Sequence, residues 1–171
     1  AVLTLSNGQV SKYAWLNPTN LTRMAAIVAD DFKKLWPTKA EQIDGNLQRI
    51  MLDVRELINQ QQAMLFDNEV DSVVLLNENL EDFASGSQLF VEERLFTAEL
   101  EWSEQDKANL KALFEDDDSL WLVTSRKPTK LLTSLVPESR ILVVDTLDRW
   151  GRAGIDSQAP LKRWELKTLK S

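Results

Sequence analysis

The chain has 171 residues, 43% of them hydrophobic and 27% charged, with a net charge of −7, the balance of a folded globular protein with a real core. It contains neither cysteine nor histidine, which excludes disulfides, thiolate nucleophiles, and any catalytic or metal site built on imidazole. No basic run exceeds two residues, so nucleic acid is not an expected partner, and no apolar run approaches the ~20 residues needed to span a bilayer.

Taken in order, Val2 to Leu5 predicts a strand and Ser6-Asn7-Gly8 a turn. The apolar run Tyr13-Ala14-Trp15-Leu16 leads into Asn17-Pro18. Asn at an N-cap followed by Pro at the first helical position is a strong helix start. That helix is expected to run from Pro18 to Trp36, with Leu21, Met24, Ala25, Ile27, Val28, Phe32 and Leu35 facing inward. Pro37 ends it, because the residue before a proline avoids the helical region. A second, longer helix follows over 38–65, with Thr38 as its candidate N-cap. Ala40, Ile43, Leu47, Ile50, Met51, Val54, Leu57, Ile58 and Leu65 fall three or four apart and therefore share a face. About 27 residues at 1.5 Å each make a rod of roughly 40 Å. Such a rod is either a bundle helix or a connection between two bodies. With only one body beside it, apolar surface would stay exposed, so self-association or a partner is expected.

Beyond Leu65 strands alternate with helices. Strands are predicted at Val70–Leu76, Gln88–Phe96, Leu120–Val123 and Ile141–Val144, and helices at Asn77–Ser85, Glu104–Glu115 (Ser103 as N-cap), Pro128–Leu135 and Pro160–Leu169. Arg149 to Gln158 reads as a loop. Strands joined through helices imply a parallel sheet. The expected fold is therefore α/β: long N-terminal helices followed by a small, mainly four-stranded parallel sheet with flanking helices. The expected division is a lead-in segment over 1–16, a helical region over 17–65 and an α/β lobe over 66–171.

This order resembles the C-terminal half of the zinc/manganese substrate-binding proteins of ABC transporters. Tyr13-Ala14-Trp15-Leu16-Asn17-Pro18 is similar to the family's His-x-Trp-Leu-(Asp/Ser)-Pro. The helix carrying Asn46 and Leu52 is similar to its linker helix. Val73 to Phe83 is similar to the strand and His-Asp-Ala-Phe segment that opens its second lobe, and Val143-Val144-Asp145-Thr146-Leu147 to its last strand and Asp-Pro-Leu. The resemblance implies a periplasmic or secreted, non-enzymatic protein, two lobes with metal held between them, and an ABC transporter permease as partner. It places Tyr13, Asn77 and Asp145 at the family's ligand positions.

The departures fall at those positions. Tyr13 and Asn77 stand where the family has histidine, and only Asp145 keeps a ligand-type side chain. The family's first lobe has no counterpart beyond residues 1–16. A transition metal asks for three or four convergent donors, so a phenol, an amide and one carboxylate make a poor zinc site. No cofactor is expected; zinc or manganese is the alternative. Asp145 at a strand end either caps a neighbouring turn or contacts a ligand. Asn77 reads as a turn or cap residue, and Tyr13 and Trp15 as core or lobe-edge aromatics. Glu92-Glu93, Glu99-Glu101 and Asp116-Asp117-Asp118 read as solvated charge. Ser125-Arg126-Lys127 could hold an anion, although Pro128-Thr129-Lys130 already starts a helix. Trp102, Trp121, Trp150 and Trp164 form either a core or a Trp-rich face for a partner or homodimer. The expected function is that of a degenerate single-lobe relative acting by protein contact or weak ligand capture. The alternative is a working zinc/manganese component whose other lobe is missing here, and a small enzyme centred on Asp145 has no positive support.

Overall fold

A computed structural model describes residues 8, 10–147, 159–166 and 169. The predicted strand over 2–5 and the loop over 149–158 lie outside these residues. A 3₁₀ turn at Ala14–Leu16 leads into α1 (Pro18–Leu35). The Asn17 side chain accepts from the Thr19 N–H at 3.0 Å, which is the N-cap that Asn-Pro predicts. The chain then turns through a 3₁₀ segment at Pro37–Lys39 into α2 (Ala40–Asp67). The long helix therefore starts two residues later than expected, and Thr38 is not its cap: the residue before the first helical position is Lys39, with no side-chain bond. At 28 residues it spans about 42 Å.

β1 (Ser72–Leu75), α3 (Glu81–Gly86), β2 (Phe90–Arg94), α4 (Glu104–Asp116), β3 (Leu120–Thr124), α5 (Lys130–Leu135) and β4 (Ile141–Val143) follow. All three strand pairings are parallel, in the order β2-β1-β3-β4. Ser72 pairs with Leu120 and Leu122 with Ile141, while the β1–β2 register slips between Val73 and Val74. Side chains alternate across the sheet and feed two cores. Val73, Leu75, Val123 and Leu142 pack with Phe83 and Ala84 of α3, Leu65 of α2, and Leu16. Val74, Leu120, Leu122 and Ile141 pack with Leu110 and Phe114 of α4 and Leu132 of α5. The lobe thus has helices on both faces of the sheet.

The helix ends are fixed by specific bonds. Ser103 and Asp106 form a reciprocal capping box at α4. The bonds from the Ser103 hydroxyl and backbone N–H hold the Asp106 carboxyl below the ordinary carboxylate range. This contribution is present above the unfolded-state pKa and is lost as pH falls through the folded value. At the other end of α4, the Arg140 guanidinium donates to the Phe114 and Asp117 carbonyls at 2.7 Å and lies over the Phe114 ring. α2 and α3 end alike. Val70 N–H reaches the Leu65 carbonyl and Leu89 N–H the Ala84 carbonyl, both at 2.9 Å. Glu69 (φ 55°) and Gln88 (φ 58°) take the left-handed position that such turns usually give to glycine.

Two expectations change. The terminal segment forms a 3₁₀ helix only over Pro160–Trp164, and Glu165 is extended; the predicted helix to Leu169 stops there among the described residues. On α1, the covered side is mostly small: Ala29 is buried, and Ala25 and Ala26 are half-buried, as is Leu21. Met24, Ile27, Val28, Phe32 (45% exposed) and Leu35 (65% exposed), expected inside, are exposed. α1 packs chiefly along α2, and two helices in close approach favour small residues at the contact. The larger apolar side chains are left on the neighbouring face.

Two opposite effects test this account by urea unfolding. Replacing Glu69 or Gln88 with Gly relieves the left-handed strain and is expected to stabilise by about 1 kcal/mol each. A Cβ at Gly86 would lie 2.6 Å from the Asn17 side chain, so Gly86→Ala is expected to destabilise, and pairing it with Asn17→Gly should recover much of the loss.

Candidate functional site

The three segments that carry Tyr13, Asn77 and Asp145 meet at the carboxyl edge of the sheet. Lys12, beside Tyr13, pairs with Glu78, beside Asn77, at 2.9 Å. The Tyr13 ring lies 5.1 Å from that of Trp15, and the Trp15 indole N–H donates to the Thr146 carbonyl, next to Asp145, at 2.8 Å. The Trp164 indole donates in turn to the Trp15 carbonyl at 2.8 Å, and buried Gln61 on α2 donates to the Trp164 carbonyl at 2.6 Å. Ser11 donates to Asp82, a largely buried carboxylate, at 2.5 Å. Sequence reasoning missed Gln61 and Asp82. A glutamine on the inner side of a long amphipathic helix, and an aspartate beside the apolar pair Phe83-Ala84, were the signals available.

The polar side chains at this edge are engaged locally. Asn77 accepts from the Asn79 N–H at 2.9 Å and caps the 3₁₀ turn at Glu78–Leu80. Asp145 accepts from the Leu147 N–H at 2.9 Å and pairs with Arg163 at 3.3 Å. Leu147 holds a left-handed φ of 59°, a conformation that costs a leucine about 1–2 kcal/mol and that the Asp145 turn and packing against the core maintain. Asn77 lines a cleft with Leu95, Trp102 and Arg126, whereas Asp145 lines a small depression with Arg163 and Trp164. Among the described residues, no three Asp or Glu side chains are grouped to hold a metal ion. Tyr13, Asn77 and Asp145 as a donor set do not fit a transition metal: the one carboxylate among them already carries a guanidinium, and an amide and a phenol bind zinc poorly.

The Trp-rich face divides differently from its expectation. Trp102 is 6% exposed, inside the α4 and α5 core, with its indole bonded to the Thr97 carbonyl at 3.0 Å. Trp121 is half-buried against the opposite core and Trp164 against Trp15. Trp150 lies outside the described residues. Exposed apolar side chains gather on the helical hairpin, in Phe32, Leu35 and Trp36 of the first helix and its turn and Ile50, Met51 and Leu52 of α2, with others on the lobe at Phe90, Phe96 and Leu100. No described helix is long and apolar enough to cross a membrane.

No protein-family model and no curated protein sequence matches the chain. Solved structures do. The metal-dependent lipoprotein YcdH of Bacillus subtilis superposes with a TM-score of 0.68 at 15% identity, over 91% of this chain and 58% of its own. The Zn(II)-bound ZnuA-like domain of Streptococcus pneumoniae AdcA gives 0.66 at 16% identity, over 88% and 58%. The laminin-binding adhesin Lmb of Streptococcus agalactiae, in a mutant form, gives 0.66 at 12% identity, over 99% and 68%. At these identities the likeness establishes the fold. This chain spans under two thirds of the YcdH and AdcA structures, so the resemblance to metal-binding substrate-binding proteins covers part of their length.

The indole bonds define a test. Trp15→Phe keeps an aromatic ring but removes the donor to Thr146, and is expected to cost about 1 kcal/mol in urea unfolding. An unchanged midpoint would show that the Trp15–Thr146 bond does not hold this edge together.

Proposed function

We propose that this chain is a degenerate relative of the metal-ion substrate-binding proteins. It keeps a long helix and one α/β lobe, has lost the metal-ligating side chains, is not an enzyme, and works outside the cytoplasm by protein contact or weak ligand capture. The observation that carries this reading is the state of the three side chains that the resemblance sets at the ligand positions: Tyr13 and Asn77 are not imidazoles, and Asp145 is committed to Arg163 and the Leu147 N–H. The exposed apolar face of the helical hairpin supports the contact half of the reading, as does the laminin-binding name of one protein of the same fold. An ABC permease is the partner that the metal-transport reading would require.

Calorimetric and thermal-shift titration of the metal-stripped protein with zinc and with manganese tests this reading. No submicromolar binding and no stabilisation are expected. Submicromolar binding that Asp145→Ala abolishes would overturn it in favour of a working metal-binding component with an unusual ligand set.

A further inference from the structure

The cleft lined by Asn77 lies at the point where the sheet reverses its winding. From β1 the chain passes through α3, on one face of the sheet, to β2. It returns through α4, on the other face, to β3, on the far side of β1. The segments leaving β1 and β3 therefore diverge to opposite faces, and a crevice opens beyond the carboxyl ends of these two strands. In open α/β sheets this is where small molecules bind. The cleft has a volume of about 530 Å³, within the ~300–1,000 Å³ typical of small-molecule sites.

Its chemistry is specific. Leu76 after β1, Leu95 after β2 and Leu131 on α5 supply apolar walls, and the buried Trp102 closes one side. Arg126 and Lys127, directly after β3, supply two cations. Both are exposed, and among the described residues neither forms an ion pair. The backbone N–H of Arg126 is bonded to the Thr124 hydroxyl at 3.2 Å, so the loop is held at its root. The one carboxylate in the lining, Glu99, already accepts from the Thr129 hydroxyl. Arg126 and Lys127 outweigh the single carboxylate Glu99 in the lining, so the cleft carries a local excess of positive charge on a chain of net charge −7.

We propose that this switch-point cleft binds a small organic carboxylate with an apolar body, its carboxyl group on Arg126 and Lys127 and its hydrocarbon against the leucines and Trp102. A guanidinium fork matches a carboxylate in two-point geometry, and the apolar walls favour a hydrocarbon tail over a bare inorganic anion. The proposal rests on the ligand-capture half of the proposed function and names its ligand class.

The test is titration of the isotope-labelled protein with 3-phenylpropionate, followed by amide NMR. Saturable shifts are expected in residues 76–77, 95–100 and 124–127. Affinity should fall by about tenfold or more in the Arg126→Gln/Lys127→Gln variant, whose substitutions lie on exposed side chains, and the uncharged 3-phenylpropionamide should give no saturable response. Equal binding of the amide, unchanged affinity in the variant, or shifts centred on α1 and α2 would overturn the site. Inorganic phosphate binding as tightly as the organic acid would overturn its apolar half. Zinc titration reads out separately: submicromolar zinc binding would overturn the loss of the metal site whatever the organic acid does, and failure of the organic acid without zinc binding would leave protein contact as the surviving role.

Discussion

Three hydrogen bonds tie together parts of the chain that lie far apart in sequence. Trp15 donates to the Thr146 carbonyl, Trp164 to the Trp15 carbonyl, and Gln61 to the Trp164 carbonyl. The lead-in segment, the long helix, the loop after the last strand and the C-terminal turn are thereby held at one edge of the sheet. Each bond engages a backbone carbonyl, a group that a folded chain rarely leaves unpaired. Leu16, Leu65, Val144 and Leu166 pack into a shared core beneath this network, so its geometry and the core are mutually dependent. α2 is anchored at its C-terminal half, where Val54, Leu57, Gln61 and Leu65 are buried, and its N-terminal half is covered mainly by α1.

That asymmetry explains the surface. A two-helix hairpin buries one stripe on each helix and leaves a second apolar face without cover. The most covered position along α1 beyond its first turn is Ala29, while Met24, Ile27, Val28, Phe32 and Leu35 remain exposed. The apolar face is the physical basis of the contact reading, and the cationic cleft on the lobe is a separate feature with a different chemistry.

Most of the fold was legible in the residues. Asn17-Pro18 marked the first helix through a cap that the structure contains, and the short apolar runs marked buried parallel strands because both faces of the sheet are covered. Ser103 marked the start of α4 as its N-cap, and in the structure it forms a capping box with Asp106. The facing of α1 was not legible. Periodicity shows which residues share a side but not whether a neighbour covers it, and close helix packing selected alanine over phenylalanine. Trp102 and Trp164 could equally have been core or surface, since an indole is buried when a carbonyl lies within its reach, and those carbonyls come from the turn at Thr97 and from the distant Trp15. For the candidate site, the residues pointed to segments that meet, but not to what each side chain does: Asn77 and Asp145 line different depressions. Tyr13, Asn77 and Asp145 do belong to segments that meet, yet the partner of Asp145, Arg163, comes from a segment 18 residues on, and sequence spacing alone does not predict that pairing.

The central proposal is that a fold shared with metal-binding substrate-binding proteins serves this chain without a bound transition metal. Native mass spectrometry of the stripped chain after exposure to stoichiometric zinc addresses it most directly, because the bound ion is weighed rather than inferred. The account predicts that the apo mass dominates, with the same spectrum for Asp145→Ala. A dominant species carrying one zinc, which disappears in Asp145→Ala, would contradict it.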